Sequence, residues 1–456
     1  MSNFSNTSYT MGYEKAYSFY RSFTANTDLT TVGYMMVGKC TLWDGSDTVP
    51  PIYDTEYNRF QTYSDFLGGK RITGNDVYLV IKRINWTTGK VYSAYDDTSN
   101  TQFTTGNGIY VYVTTGEVYK CINNANNAPS VDVPTGDYTV NNGFKTMGDG
   151  YSWKYMYKVP AASKFLTTSW IPVPTVQNAA YFGHANNTVA GSISRMVVVT
   201  PGSGYGTTNT SIVVTGSGVS GNANATVNAA GSLTAATVDV RGVRYTRRDI
   251  KANVVGSGTT ANVRVILSPY GGHAFNPARE LGCNTVLISV KIGDVDATEG
   301  GNITANNDFR QIGMLLGPHK YGENVAANSV SADLAVTMAT QLTLVSGTAY
   351  TQDEPVYQGA SLATATFSGY ASDVTLTNAI ECTGTQGAPG IGTALIGATS
   401  GSSRTVITYT NPDLEPETGD LVYTENRAPV VRAPGQGELI KIALRFMLAL
   451  CFINII

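Results

Sequence analysis

Charge is what this sequence has least of. Lysine, arginine, aspartate and glutamate together make up 14% of its 456 residues, against roughly 25% in ordinary soluble domains, and the formal net charge is −3. Without a basic surplus there is no electrostatic footprint for a phosphate backbone, so nucleic acid is not an expected partner. Histidine is scarce too: His184, His273 and His319 lie far apart, and none has a second histidine or a cysteine at ligand spacing. We therefore expect neither a zinc centre nor a histidine-based nucleophile, with Gly271-Gly272-His273 read as a constrained loop. The five cysteines, at 40, 121, 283, 382 and 451, are odd in number and show no paired spacing, which points to reduced thiols rather than a disulfide framework.

Long apolar runs are missing as well. Phe446 to Ile453 is apolar, but Lys441 and Arg445 precede it and Asn454 interrupts it, which leaves too few residues to cross a bilayer. No membrane insertion is expected, and 447–456 reads as an apolar tail that packs on the body or on a neighbour. Met1 to Asn6 lacks the basic and apolar regions of a signal peptide, so the chain is expected to stay in a cytoplasm until assembly.

Chemical signatures are equally thin. Gly216-Ser217-Gly218-Val219-Ser220-Gly221 fits the dinucleotide pattern letter for letter, yet a β pattern follows it instead of a helix whose N-terminus could hold a pyrophosphate. No Walker sequence and no G-x-S-x-G elbow occurs. Asp294, Asp296 and Thr298 set oxygens at alternate positions, but Glu299 and Ala305 stand where a calcium loop needs glycine and glutamate, so a solvated acidic turn is expected. No pair of carboxylates is marked out for glycoside hydrolysis. The expectation is of no catalytic, cofactor-binding or metal-binding residues, no cofactor, no small-molecule substrate and no enzyme activity.

What the sequence has in abundance is glycine, at 48, and tyrosine, at 28. A polar but weakly charged surface rich in tyrosine and asparagine suits permanent packing against other proteins. Gly148-Asp149-Gly150 supplies a tight turn, and behind it Tyr151, Trp153, Tyr155, Tyr157 and Val159 alternate with the period of a strand that has one buried face, ended by Pro160. Upstream, Thr10 is placed to cap a helix with Tyr13, Ala16, Tyr17 and Tyr20 on its inner face, and a second short helix runs through Tyr57, Phe60 and Phe66. Val77–Trp86 with Val91–Tyr95, and Ile109–Val113 with Val118–Ile122, read as two hairpins.

Past Pro174 the composition turns to small residues and contains a repeat. Pro201-Gly202-Ser203-Gly204-Tyr205 and Gly216-Ser217-Gly218 recur 40 positions later as Arg241-Gly242-Val243-Arg244-Tyr245 and Gly256-Ser257-Gly258. Each copy reads as strand, glycine turn, strand. A second run of short strands with regular turns, starting near Val330 with Leu334, Val336 and Met338, suggests a small barrel. The expected fold is therefore mainly β: an antiparallel sandwich or barrel-like framework with a few short helices and two inserted β modules. The framework occupies 1–185, 271–330 and 411–446, the inserts 186–270 and 331–410, and the tail 447–456.

Three stretches taken together carry a resemblance: Gly148-Asp149-Gly150-Tyr151-Ser152-Trp153-Lys154-Tyr155, Asp308-Phe309-Arg310-Gln311-Ile312, and Gly419-Asp420 through Glu425-Asn426-Arg427-Ala428-Pro429-Val430. In this order, with Phe19-Tyr20 before them and Ile440 to Phe446 after, the chain resembles the baseplate wedge protein, gene-eight type, of T-even-like contractile-tailed bacteriophages. The resemblance covers about half of the chain and omits the two inserts and the tail. It implies a homodimeric virion subunit of the tail baseplate, assembled in the host bacterial cytoplasm and joined to other wedge proteins, with no enzyme activity. The framework or interface residues it points to are Tyr151, Trp153, Tyr155, Phe309, Arg310, Glu425, Asn426 and Arg427. A receptor-binding or glycan-binding tail protein that uses the inserts is the alternative, and a tail-associated glycan hydrolase a third reading.

Overall fold

The computed structural model describes residues 8–24, 32–99, 103, 107–136, 141–175, 188–208, 210–292, 308–323, 335–430 and 438–446. The protein is mostly β, with antiparallel sheets, closed or nearly closed barrels and few helices. The chain opens with α1 (Ser8–Thr24), β1 (Gly33–Gly38), α2 (Glu56–Asp65) and β2 (Phe66–Arg71). Then follow β3 (Val77–Lys82), β4 (Tyr110–Tyr112), β5 (Glu117–Asn124), β6 (Phe144–Thr146), β7 (Tyr151–Lys158) and β8 (Trp170–Pro172). Six strands come next: β9 (Ile193–Thr200), β10 (Ser211–Thr215), β11 (Val219–Val227), β12 (Leu233–Val243), β13 (Lys251–Val255) and β14 (Asn262–Leu267). The one-turn α3 (Pro277–Glu280) leads to β15 (Thr285–Ile292), β16 (Phe309–Leu316) and β17 (Ala335–Thr337). The last strands are β18 (Thr340–Leu344), β19 (Pro355–Gln358), β20 (Phe367–Asp373), β21 (Ala379–Gly387), β22 (Ala394–Gly397), β23 (Ser403–Thr410), β24 (Asp420–Val430) and β25 (Glu438–Arg445).

Two compact units account for the chain. The first comprises Met1–Ser18, Tyr78–Leu287 and Leu444–Ile456, the second Phe19–Val77 and Ile288–Ala443. In the first, β4, β5, β7 and β6 form one antiparallel sheet in that order. Gly150, at φ +83, turns the chain between β6 and β7, and the Tyr151 and Trp153 rings stack at 5.5 Å behind it. Strand β7 departs from the expected single buried face. Lys154 and Met156 are also fully buried, and Phe144 and the Asn142 carbonyl cover Lys154.

The expected hairpin of 77–86 with 91–95 does not form. β3 pairs with β8 instead, Ile81 opposite Ile171, and residues 91–95 carry no strand. The reason is the burial of Tyr92, whose N–H donates to the Tyr151 hydroxyl and whose ring lies edge-on to Trp153. That segment spends its bulk on the core beneath the sheet rather than on a ladder. The second hairpin is present as β4 and β5, Val111 opposite Tyr119.

Strands β9–β14 make one six-stranded sheet in the order β12-β11-β10-β13-β14-β9. Advancing every strand by one repeat turns β9, β10 and β11 into β12, β13 and β14 and reverses this order onto itself, so the sheet has an internal dyad between β10 and β13. The backbone repeats as well: left-handed residues occur at Gly202 and Gly242, Gly204 and Arg244, and Ser220 and Thr260, each pair 40 positions apart. The tyrosines are exchanged between copies. Tyr205 N–H donates to Gly231 O, and Tyr245 N–H to Gly191 O. The Tyr205 hydroxyl accepts from Ala261 N–H, and that of Tyr245 from Gly221 N–H. A Cβ on Gly258 would lie 2.3 Å from the Tyr205 ring, and one on Gly218 the same distance from the Tyr245 ring. Gly218 and Gly221 of the dinucleotide-like run are therefore a seat for the Tyr245 ring.

The second unit holds a five-stranded sheet ordered β17-β2-β1-β16-β24 and a closed barrel ordered β18-β21-β20-β19-β22-β23. β17, expected at the start of the barrel, pairs with β2, and Val336 and Met338 join the core of Val32, Tyr34, Met36 and Phe66. The barrel has its own core, around Leu342, Val356, Phe367, Ile380, Leu395 and Val406. Its first and last strands are neighbours, Gln341 opposite Thr410. So are those of the six-stranded sheet, Leu267 opposite Ile193. Each module thus enters and leaves at one place.

Both helices differ in detail from expectation. Thr10 lies inside α1, which is already helical at Ser8. α2 is capped by Thr55, whose hydroxyl accepts from Asn58 N–H at 3.2 Å, and it ends at Asp65. Phe66 is a buried strand residue, while Tyr57 and Phe60 are exposed. The acidic segment 294–299, His184, Cys451 and the tail 447–456 lie outside the described residues.

Candidate functional site

The most concentrated chemistry of the first unit is buried beneath β5, β7 and β9. It starts from a backbone constraint. Gly271 and Gly272 adopt φ +80 and +95, and a Cβ on Gly272 would meet the backbone of Val189 at 2.7 Å, so only glycine lets the chain turn His273 inward. Asn276 then caps α3, its Oδ1 accepting Arg279 N–H at 3.1 Å, and Pro277 starts the turn at the position where no N–H is needed. That single turn returns Glu280 towards the loop it follows.

Glu280 is the hub. Its Oε2 accepts Ala274 N–H at 2.7 Å, and its Oε1 lies 2.7 Å from Lys120 Nζ and 2.5 Å from His273 Nδ1. On the other side of the ring, His273 Nε2 lies 2.7 Å from Ser194 Oγ. Lys120 sits in β5, its ammonium 3.6 Å from the centroid of the Tyr95 ring. His273 meets Tyr95 and Phe144 edge-on, at 5.1 and 5.8 Å. Lys120, His273 and Ser194 are each at most 2% exposed.

Electrostatics fix the protonation states. Burial pushes His273 down to about 4, outweighing the attraction of Glu280, so the ring is neutral near pH 7. Burial pushes the Glu280 carboxyl up, but Lys120 and His273 pull it down in sum, to about 2. Since the carboxylate can only accept, Nδ1 carries the ring proton and donates to Glu280, and Nε2 accepts from the Ser194 hydroxyl. Serine, histidine and carboxylate in this order match the nucleophile, base and orienter of a hydrolytic triad. Here, however, the Ser194 hydroxyl is closed off in β9, and the Lys120 ammonium occupies the carboxylate. The arrangement acts as a tether, joining β9 through His273 and Glu280 to β5.

A second tether lies beside it. Asp96 and Asp97 follow Tyr95 and receive Arg264 of β14, Arg195 of β9 and Arg247. Arg264 Nη1 reaches Asp96 Oδ1 at 3.0 Å, and its hydrogen bond holds the Asp96 carboxyl well below the usual carboxylate range. Leu267 N–H donates to Asp97 Oδ2 at 3.1 Å.

The residues singled out in the sequence fall elsewhere. Tyr151, Trp153 and Tyr155 are buried in the core beneath β7 with Tyr92 and Tyr119. Phe309, Arg310, Glu425, Asn426 and Arg427 belong to the second unit. Arg310 Nε donates to Asp47 Oδ1 at 2.7 Å and its Nη1 to Cys40 O at 2.8 Å. Glu425 instead accepts from Arg427 Nε at 2.8 Å and from the Tyr423 hydroxyl at 2.7 Å. Glu425–Arg427 lies within β24 rather than in a turn, and it is joined to the Arg310 cluster at two points: Gln311 Nε2 donates to Asn426 Oδ1, and Trp43 donates its backbone N–H to Asp47 Oδ1 and its Nε1–H to Arg427 O.

Neither a family model nor a curated protein matches this chain. The four described cysteines are free and buried, and among the described residues no group of histidine, cysteine, aspartate and glutamate could hold a metal ion. The surface feature that stands out lies on the second unit, where six large apolar side chains between 42 and 60 are exposed: Leu42, Val49, Ile52, Tyr53, Tyr57 and Phe60. Ile52 and Tyr53, with Asn58, Arg59 and Thr62 of α2, form one wall of a groove of about 410 Å³. Leu421 to Thr424 of β24 form the other. β24 is an edge strand, with β16 its only ladder neighbour among the described residues.

Proposed function

We propose that the protein is a structural subunit of a phage tail baseplate wedge, working by association with a second copy of itself and with other wedge proteins. The observation that carries the reading is the apolar surface at 42–60 beside the edge strand β24. Isolated exposed apolar residues are ordinary, but six within one short segment, next to an edge strand, suit a surface that a partner covers. The resemblance of the stretches at 148–155, 308–312 and 419–430 supplies the assembly, and the glycine-turn modules suit accessory domains on such a subunit.

Light scattering on the full chain tests the first part. A dimer is expected, converting to a folded monomer with the wild-type circular dichroism spectrum in the double variant Tyr57→Ser, Phe60→Ser, since neither side chain is part of the core; its thermal midpoint falls only by what dimerisation contributed. Mixing with the other baseplate proteins from its genome neighbourhood should then give one larger, defined complex. A wild-type monomer that ignores those proteins would overturn the proposal.

A further inference from the structure

Beside the buried tether lies a cavity of about 270 Å³, and its wall is built for a negative charge. Its polar lining comes from Lys154, Arg241, His273, Ser192, Ser220 and Asn142, and the lining contains no aspartate or glutamate. Arg241 stands in β12, the edge strand that packs against the other edge, β9. Its Nη1 donates to the carbonyls of Ile193 and Ser194, and its guanidinium stacks 3.6 Å from the Phe144 centroid. Nε and Nη2 make no hydrogen bond among the described residues, and no carboxylate pairs with this arginine there. Ser192, 3% exposed, lines the same cavity, and its hydroxyl likewise makes no hydrogen bond among the described residues. A second, wider cleft of about 660 Å³, whose lining includes Asp239, shares Asn142, Phe144, Val240 and Arg241 with it.

A partly buried guanidinium with three N–H donors left over on two nitrogens and a buried hydroxyl beside it form an incomplete hydrogen-bonding set. An oxyanion completes it. We propose that this cavity binds a small oxyanion, a phosphate or carboxylate group, held by Arg241 and Ser192 with Lys154 supplying a further positive charge. The volume admits a free inorganic anion or the acidic group of one sugar unit. Lys154 is drawn by burial down to about 7, and a bound anion would favour its charged form.

Isothermal titration of the full chain with inorganic phosphate and, separately, with glucuronate tests this at constant ionic strength with chloride as the control. Saturable binding of either probe is expected, weakened roughly tenfold by Arg241→Gln and severalfold by Ser192→Ala, as loss of a charged and a neutral hydrogen bond implies. Arg241 also joins β12 to β9, so the Ser192 variant, which leaves that contact in place, keeps the test valid if the arginine variant fails to fold. Phosphate binding alone identifies a free anion as the ligand; glucuronate binding identifies an acidic glycan. No saturable heat with either probe, or binding unchanged in both variants, overturns the proposal.

Discussion

At the scale of single residues, the fate of Lys120 rests on Glu280. Removing one member of a buried pair leaves the other charge uncompensated, whereas replacing both by apolar groups of similar volume is often neutral. Glu280→Gln is expected to destabilise the fold by about 3 kcal/mol, and Lys120→Met, Glu280→Leu together by much less than the sum of the single changes. Urea unfolding of the three variants checks this. His273 sets an acid limit. In the folded chain its pKa is about 4, against 6.5 when unfolded, with Glu280, Lys120 and Lys154 the charged groups around it. Between those values the unfolded chain takes up a proton that the folded chain refuses, so stability falls as pH drops from 6.5 towards 4. Thermal midpoints across that range should decline in the wild type and decline less in His273→Gln. Almost none of this was legible in the sequence. Ser194, His273, Glu280 and Lys120 are strewn over 160 positions, and tertiary pairing alone brings them together. The local signals were a lysine at 120 within the run Val118–Ile122, another at 154 among the aromatics of β7, and a glycine pair before His273.

At the scale of elements the sequence was far more informative, because strand period and turn chemistry are local. The run from Gly148 to Pro160, the hairpin of β4 and β5, the 40-residue repeat and the small barrel all left their pattern in the order of residue types. The errors arose where a segment with strand-like residues spent its bulk on packing: Tyr92 draws 91–95 into the core, and β17 leaves the barrel for β2. Arg310 pairs with Asp47, a loop residue 263 positions away, which no local pattern could name. The repeat also makes a prediction of its own. Gly218→Ala and Gly258→Ala each place a methyl group against the ring of the other copy's tyrosine, and each is expected to cost about 1–3 kcal/mol as an overpacked core does. Calorimetry would show two similar losses from two sites 40 positions apart.

At the scale of the whole molecule the weak charge becomes a statement about association. With net charge −3 spread over 456 residues and exposed apolar side chains between 42 and 60, the proposed dimerisation should owe little to long-range electrostatics. The dimer dissociation constant measured by sedimentation is expected to change less than about threefold between about 0.1 M and about 0.5 M salt. A steep dependence would move the interface away from 42–60 and towards charged surface.

The exchanged tyrosines also say something about ancestry. In the six-stranded module neither copy keeps its own ring: each lends it to the other and takes the other's in return. The two halves of the repeat are thereby tied to each other. Either half copied out alone would carry a glycine seat with no occupant and a tyrosine with nowhere to lie. Such a pair can be lost, moved or inherited only whole, and drift at one of the two seats is answerable at the tyrosine of the opposite half.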